Sequence, residues 1–174
     1  MTNRLHLPAP IDHEAAVLRG RLGITGDVQR NLDQLAQDLA HAAGVPWAMV
    51  NLFGDHAQHF LGLAAPGPDS GLPQVGRHMD PAYGYCPEVR TRSKALVLPD
   101  VYRHPRFTGN PVVNEIGIRT YAGAPLLDEQ GTTFGTVCFV GRHPLPSASG
   151  NDSLALIKQY RDAAQQLISP RPAR

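Results

Sequence analysis

GIRTYAGAPLLDEQGTTFGTVCFVG, residues 117–141, decides the fold. Two runs of aromatic, branched and small residues flank Asp128-Glu129-Gln130-Gly131. Turn residues between two such runs specify an antiparallel hairpin. Arg119, Tyr121 and Gly123 share one strand parity, so they point to one face of the sheet. Arg119 offers a fixed fork for an anion, or else ties down a neighbouring loop. Tyr121 offers a ring with a hydroxyl handle, or else fills core. Cys138 lies in the return strand, where an uncharged cysteine behaves as a small hydrophobe.

Moving toward the N-terminus, Asn110-Pro111 predicts a cap and a short helix to about residue 116. The loop RHPRFTGN precedes it, and ALVLPDV, residues 95–101, is a strand interrupted by Pro99. Residues 81–94 predict a short, irregular helix carrying Tyr83, Tyr85 and Cys86. Prolines and glycines crowd residues 62–81, which predicts a long loop, and loops of that length tend to bind or gate. Residues 59–63 and 47–53 predict a second hairpin around Gly54-Asp55. Before it, Val28, Leu32, Leu35, Leu39 and Ala42 mark the apolar face of a helix, with Asp27 as its cap and Gly44 as its stop. At the other end, residues 149–168 predict a helix with the stripe Ile157, Tyr160, Ala164 and Leu167. Ser149 and Asp152 stand there as a capping box.

Hairpins at both ends predict an α+β fold with a central antiparallel sheet. The terminal helices cover one face, and the loops and short helices cover the other. The chain of 174 residues suits one domain, and its 42% hydrophobic and 18% charged content suits a globular one. The net charge is +1 without a Lys/Arg run, which argues against nucleic acid as a partner. No apolar run reaches the roughly 18–20 residues that span a bilayer, and no signal peptide is legible. The expected location is cytoplasmic, away from membranes. The two cysteines form no CxxC, and the eight histidines show no diagnostic metal spacing, His56 and His59 included.

LDQLAQDLAHAAGVPWAMVNLF, ALVLPDVYRHPRFTGNPVV and the opening hairpin together resemble the GAF domain, most closely its bacterial signalling subset. IDHEAAVLRGRLGI resembles the leader that precedes such domains. The expected division is a leader at 1–25, a GAF domain at 26–169 and a tail at 170–174. The resemblance implies about six antiparallel strands, a small-molecule effector pocket on one face, and a homodimer formed through the terminal helices. It further implies regulation of a partner such as a histidine kinase or phosphatase, the chain reading as a stand-alone module. The expected effector contacts are Tyr83, Tyr85, Cys86, Phe107, Arg119, Tyr121 and Val137.

No enzymatic activity is expected, and no cofactor can be named. Covalent bilin attachment is not expected, because residues 102–120 contain no cysteine. Haem is not expected either, since no converging ligand set is legible. The NKFDE motif of cyclic-nucleotide GAF domains is absent. Two alternatives stay open. Cys86, which matches the cysteine of the family's SFCAHAI helix, would serve a thiol-dependent redox enzyme or sensor of the free methionine sulfoxide reductase type, with Cys138 as its one available partner. Otherwise the domain is a ligand-free dimerisation module whose pocket is filled by Trp47, Phe53, Phe60 and Phe139.

Overall fold

A computed structural model of the chain describes residues 3–168. The tail expected at 170–174 lies outside them. The order is α1 (His13–Arg21), α2 (Gly26–Ala43), β1 (Trp47–Phe53), β2 (Gln58–Ala64), β3 (His78–Met79), α3 (Cys86–Arg92), β4 (Leu96–Leu98), α4 (Pro111–Glu115), β5 (Thr120–Leu127), β6 (Thr133–Gly141) and α5 (Gly150–Ile168). The six strands form one antiparallel sheet in the order β3-β2-β1-β6-β5-β4. The fold is α+β, as the sequence predicts.

The opening hairpin is β5 and β6, with Tyr121 opposite Val140 and Gly123 opposite Cys138. The sheet carries a core on each face. Ala48, Val50, Leu52, Leu61, Ala122, Leu126, Val137 and Phe139 pack under α2 and α5. On the other face Trp47, Met49, Phe60, Tyr121, Cys138 and Val140 pack under α3, α4 and the loops. Strands buried on both faces explain why WAMVNLF reads as a continuous apolar run rather than an alternation.

Several boundaries differ from expectation. Thr25, not Asp27, caps α2: its hydroxyl accepts from the Val28 amide at 3.3 Å. Gly44 closes that helix with a left-handed φ of 67°, as predicted. On α5 the buried stripe ends at Ile168, and Leu167 is 37% exposed. Ser149 belongs to a 3-10 turn and donates to the Pro146 carbonyl, so it is not spent on a capping box. The helix expected over 81–94 begins only at Cys86. Gly84 holds a φ of 77°, outside the helical region, and Pro87 fits only the first turn.

The expected long loop contains a 3-10 turn at Pro68–Ser70 and ends in the edge strand β3. The N-terminal segment lies beside that edge. The Leu7 amide donates to the His78 carbonyl, the Gly76 amide to Leu5 and the Asp80 amide to Arg4. This backbone pairing shields the sheet edge from further strand addition.

Candidate functional site

The second face of the sheet is roofed by residues 80–86 as they turn from β3 into α3. Three side chains fix this roof. Gln58 donates through its amide nitrogen to the Asp80 carbonyl at 2.8 Å and the Tyr83 carbonyl at 2.7 Å. Asn110 accepts from the Gly84 amide at 3.0 Å and donates to the Gly84 carbonyl at 2.7 Å. It also caps α4 by accepting from the Val112 amide. The Tyr85 hydroxyl donates to the Phe107 carbonyl at 2.8 Å.

Between roof and sheet lies a hollow of about 40 Å³. Met49, Phe60, Tyr121, Cys138 and Val140 floor it; Met79 and Tyr83 to Cys86 roof it; Val112 on α4, with Ile116 and Ile118 just after it, closes one side. Its size admits a few water-sized groups and falls well below the roughly 300 Å³ of a typical small-molecule pocket. The structure therefore holds the site closed.

Tyr121 reaches into this space because Gly123 has no side chain. A Cβ at Gly123 would meet the Tyr121 hydroxyl at 2.0 Å. The ring lies along its own strand and brings its hydroxyl to 3.3 Å from the Cys86 sulfur. Tyr85 packs edge-on against Tyr121 at 5.3 Å and against Phe107 at 5.6 Å, an aromatic ladder running outward from the core. Burial pushes the Tyr85 hydroxyl up to about 12.

Cys86 and Cys138 come together here, their sulfurs 3.5 Å apart, unbonded and buried. The Met49 sulfur lies 3.9 Å from Cys138. The hydrogen bond between the two thiols lowers Cys86 below the ordinary thiol range against the opposing effect of burial, with help from the Tyr121 hydroxyl. Cys138 is pushed the other way, by that same hydrogen bond and by burial. Asn51 and Thr136 face each other across β1 and β6 and are fully buried. Asn51 donates to Gln58 at 2.9 Å. The Asn51 carbonyl oxygen and the Thr136 hydroxyl have no partner among the described residues.

Of the expected contacts, Tyr83, Tyr85, Cys86 and Tyr121 line the hollow. Phe107 does not line it and packs behind Tyr85. Arg119 is turned away: it grips Asp100 with three bonds of 3.1–3.3 Å and stacks on Tyr102 at 4.0 Å. It ties down the loop after β4 and offers no free fork to a ligand. Val137 lies on the opposite face, under α2 and α5, because alternation along β6 gives the hollow to Cys138 and Val140. Phe139 shares that opposite face, so it cannot help fill the pocket. The sequence reading missed Gln58, Asn51, Thr136, Met49, Met79 and the second role of Asn110. A polar residue inside an apolar strand, such as Asn51 in WAMVNLF, was the available signal.

A second polar cluster sits by the leader. Asp12 caps α1 by accepting from the Ala15 amide, and it also accepts from the His56 amide and the His59 ring, at 2.9 Å for the ring. The other nitrogen of His59 lies 3.2 Å from His78. Among the described residues no three His, Cys, Asp or Glu side chains converge as metal ligands. No described helix is long and apolar enough to cross a membrane.

This architecture defines an α+β domain built on a six-stranded antiparallel sheet, one face of which is roofed by residues 80–86. The family model for the GAF domain matches residues 27–167, and the chain belongs to that family. No curated protein matches it in sequence. Among solved structures it is similar to a phycoerythrobilin-bound GAF domain from a cyanobacterial phytochrome, at 13% identity and a TM-score of 0.62, over 92% of this chain and 96% of that one. It is similar to a type II free methionine-R-sulfoxide reductase from Thermoplasma acidophilum, at 13% identity and 0.61, over 83% and 94%. It is also similar to the GAF domain of an Acinetobacter phosphoenolpyruvate-protein phosphotransferase, at 14% and 0.59, over 92% and 94%. At these identities the likeness is one of fold.

Proposed function

We propose that this GAF chain is a cytoplasmic sensory module for a small, chiefly apolar or aromatic effector that enters under the roof of residues 80–86. The observation that carries this reading is the hollow itself. It is walled by apolar and aromatic side chains, and its roof is held to the body by a few polar side chains. An effector larger than the closed volume stabilises the open roof by binding it better than the closed one, which is coupling through differential affinity. The output is a helix-mediated homodimer or a partner such as a histidine kinase or phosphatase. Ile11 and Val17, 81% and 63% exposed near and on α1, supply apolar surface for such a contact.

The bilin and sulfoxide chemistries in the neighbours' names are not carried over. Residues 102–120 hold no cysteine for a bilin. The described residues that line the hollow include no charged side chain to hold a free amino acid's ammonium and carboxylate groups. The small volume favours one second reading, a ligand-free dimerisation module filled by its own side chains. Native mass spectrometry of the purified protein, compared with its denatured mass, tests the sensory reading. A non-covalent adduct lost on denaturation is expected. A bare chain that also gains no thermal stability from a library of small apolar and aromatic compounds would overturn it in favour of the ligand-free module.

A further inference from the structure

We propose that Cys86 and Cys138 are a redox couple, oxidised to a disulfide by a hydroperoxide small enough to enter the hollow. Three observations converge on it. The two sulfurs already lie 3.5 Å apart, on α3 and β6. A disulfide is about 2.05 Å long, so closure takes a movement of about 1.5 Å, within reach of side-chain rotation. Both thiols line one hollow of about 40 Å³, which suits a molecule the size of hydrogen peroxide even with the roof closed. The Tyr121 hydroxyl stands 3.3 Å from the Cys86 sulfur, placed to donate to a thiolate.

The chemistry runs in two steps. The Cys86 thiolate attacks one peroxide oxygen; the O–O bond breaks, an S–O bond forms, and the departing hydroxide takes up a proton as water. The Cys138 sulfur then attacks the Cys86 sulfenic sulfur. Its proton and the sulfenic hydroxyl leave as water, and the S–S bond forms. Two thiols lose two electrons and two protons, and one peroxide becomes two waters. Cys86 is the attacking thiol because the Tyr121 hydroxyl, 3.3 Å from its sulfur, can donate to its thiolate, whereas Cys138 has the Met49 thioether beside it, which has no proton to donate. The product covalently joins the roof helix α3 to the central strand β6, so the oxidised protein holds its roof shut. The couple stands whether or not a small effector also uses the hollow.

The test is intact-mass measurement after brief treatment with near-stoichiometric hydrogen peroxide, acid quench, and alkylation with N-ethylmaleimide under denaturing conditions. The folded protein is expected to lose about 2 Da and both alkylatable thiols, and to recover them with dithiothreitol. A Cys138→Ser variant, checked for folding by circular dichroism, should stop at a dimedone-trappable sulfenic acid on Cys86. The proposal is overturned if folded wild-type protein keeps both thiols under peroxide that oxidises the urea-unfolded chain, or if the disulfide formed joins two chains.

Discussion

Asn110 grips both backbone polar groups of Gly84, accepting from its amide and donating to its carbonyl. The same side chain caps α4, so one residue couples the roof to the helix beside it. Its loss should loosen both. Asn110→Ala is expected to lower stability by about 2–3 kcal/mol, from one cap and two hydrogen bonds to a partly buried group. Urea denaturation measures that loss. Hydrogen exchange should show faster opening at residues 83–86, with β1 and β6 protected until global unfolding.

Tyr121 needs an empty neighbour at Gly123. Gly123→Ala places a methyl group inside the phenol's volume, and overpacking of this kind costs about 1–3 kcal/mol. The double variant with Tyr121→Phe removes the nearest clash but not the ring contact at 2.6 Å. Its destabilisation should therefore be less than the sum of the two single ones. A double-mutant cycle that adds without coupling would contradict this packing.

Arg119 belongs to the Asp100 loop rather than to the pocket. Arg119→Ala should lower stability by about 1–2 kcal/mol through the lost ion pair and ring contact. Affinity for any ligand of the hollow should stay within error. A large loss of affinity in calorimetry would return Arg119 to the site.

The fold should weaken in two steps as pH falls. Burial lowers His78 below its ordinary value near 6.5, and neighbouring His59 adds to the effect. A histidine with a depressed folded value contributes stability above its unfolded value and loses it as pH falls below that point. For Asp12 and Asp100, burial pushes upward, but hydrogen bonds outweigh it. The decisive bonds come from the His59 ring and the Ala15 and His56 amides for Asp12, and from the Tyr102 amide and Arg119 for Asp100. Both carboxyls end below their ordinary value, so their contribution fades below about pH 4. Denaturation midpoints between about pH 8 and pH 3 should show both declines. A His78→Leu variant should flatten the first and keep the second.

The hairpin of residues 117–141, the α2 stripe and the Asn110-Pro111 start were legible because each rests on local chemistry: a turn, a period, a cap. Val137 was misplaced because both faces of β6 are buried, so apolarity along the strand does not say which side looks into the hollow. Arg119 shares the parity of Tyr121, but its length lets it swing out to Asp100 at the strand's end. Leu167 and Ile168 are adjacent apolar residues, and only packing against the sheet decides which one is buried. The pairing of Cys86 with Cys138, 52 residues apart, and of Asp12 with His59, 47 apart, are tertiary facts with no local signature.

The proposed effector binds in the hollow under residues 80–86. Met49 and Met79 stand on its floor and in its roof, and both can be labelled with 13C at the methyl group. In a methyl NMR titration with any ligand found by mass spectrometry or thermal shift, both signals should move together and saturate at the ligand's affinity. A ligand that binds by calorimetry while leaving both methyl signals in place would contradict the account.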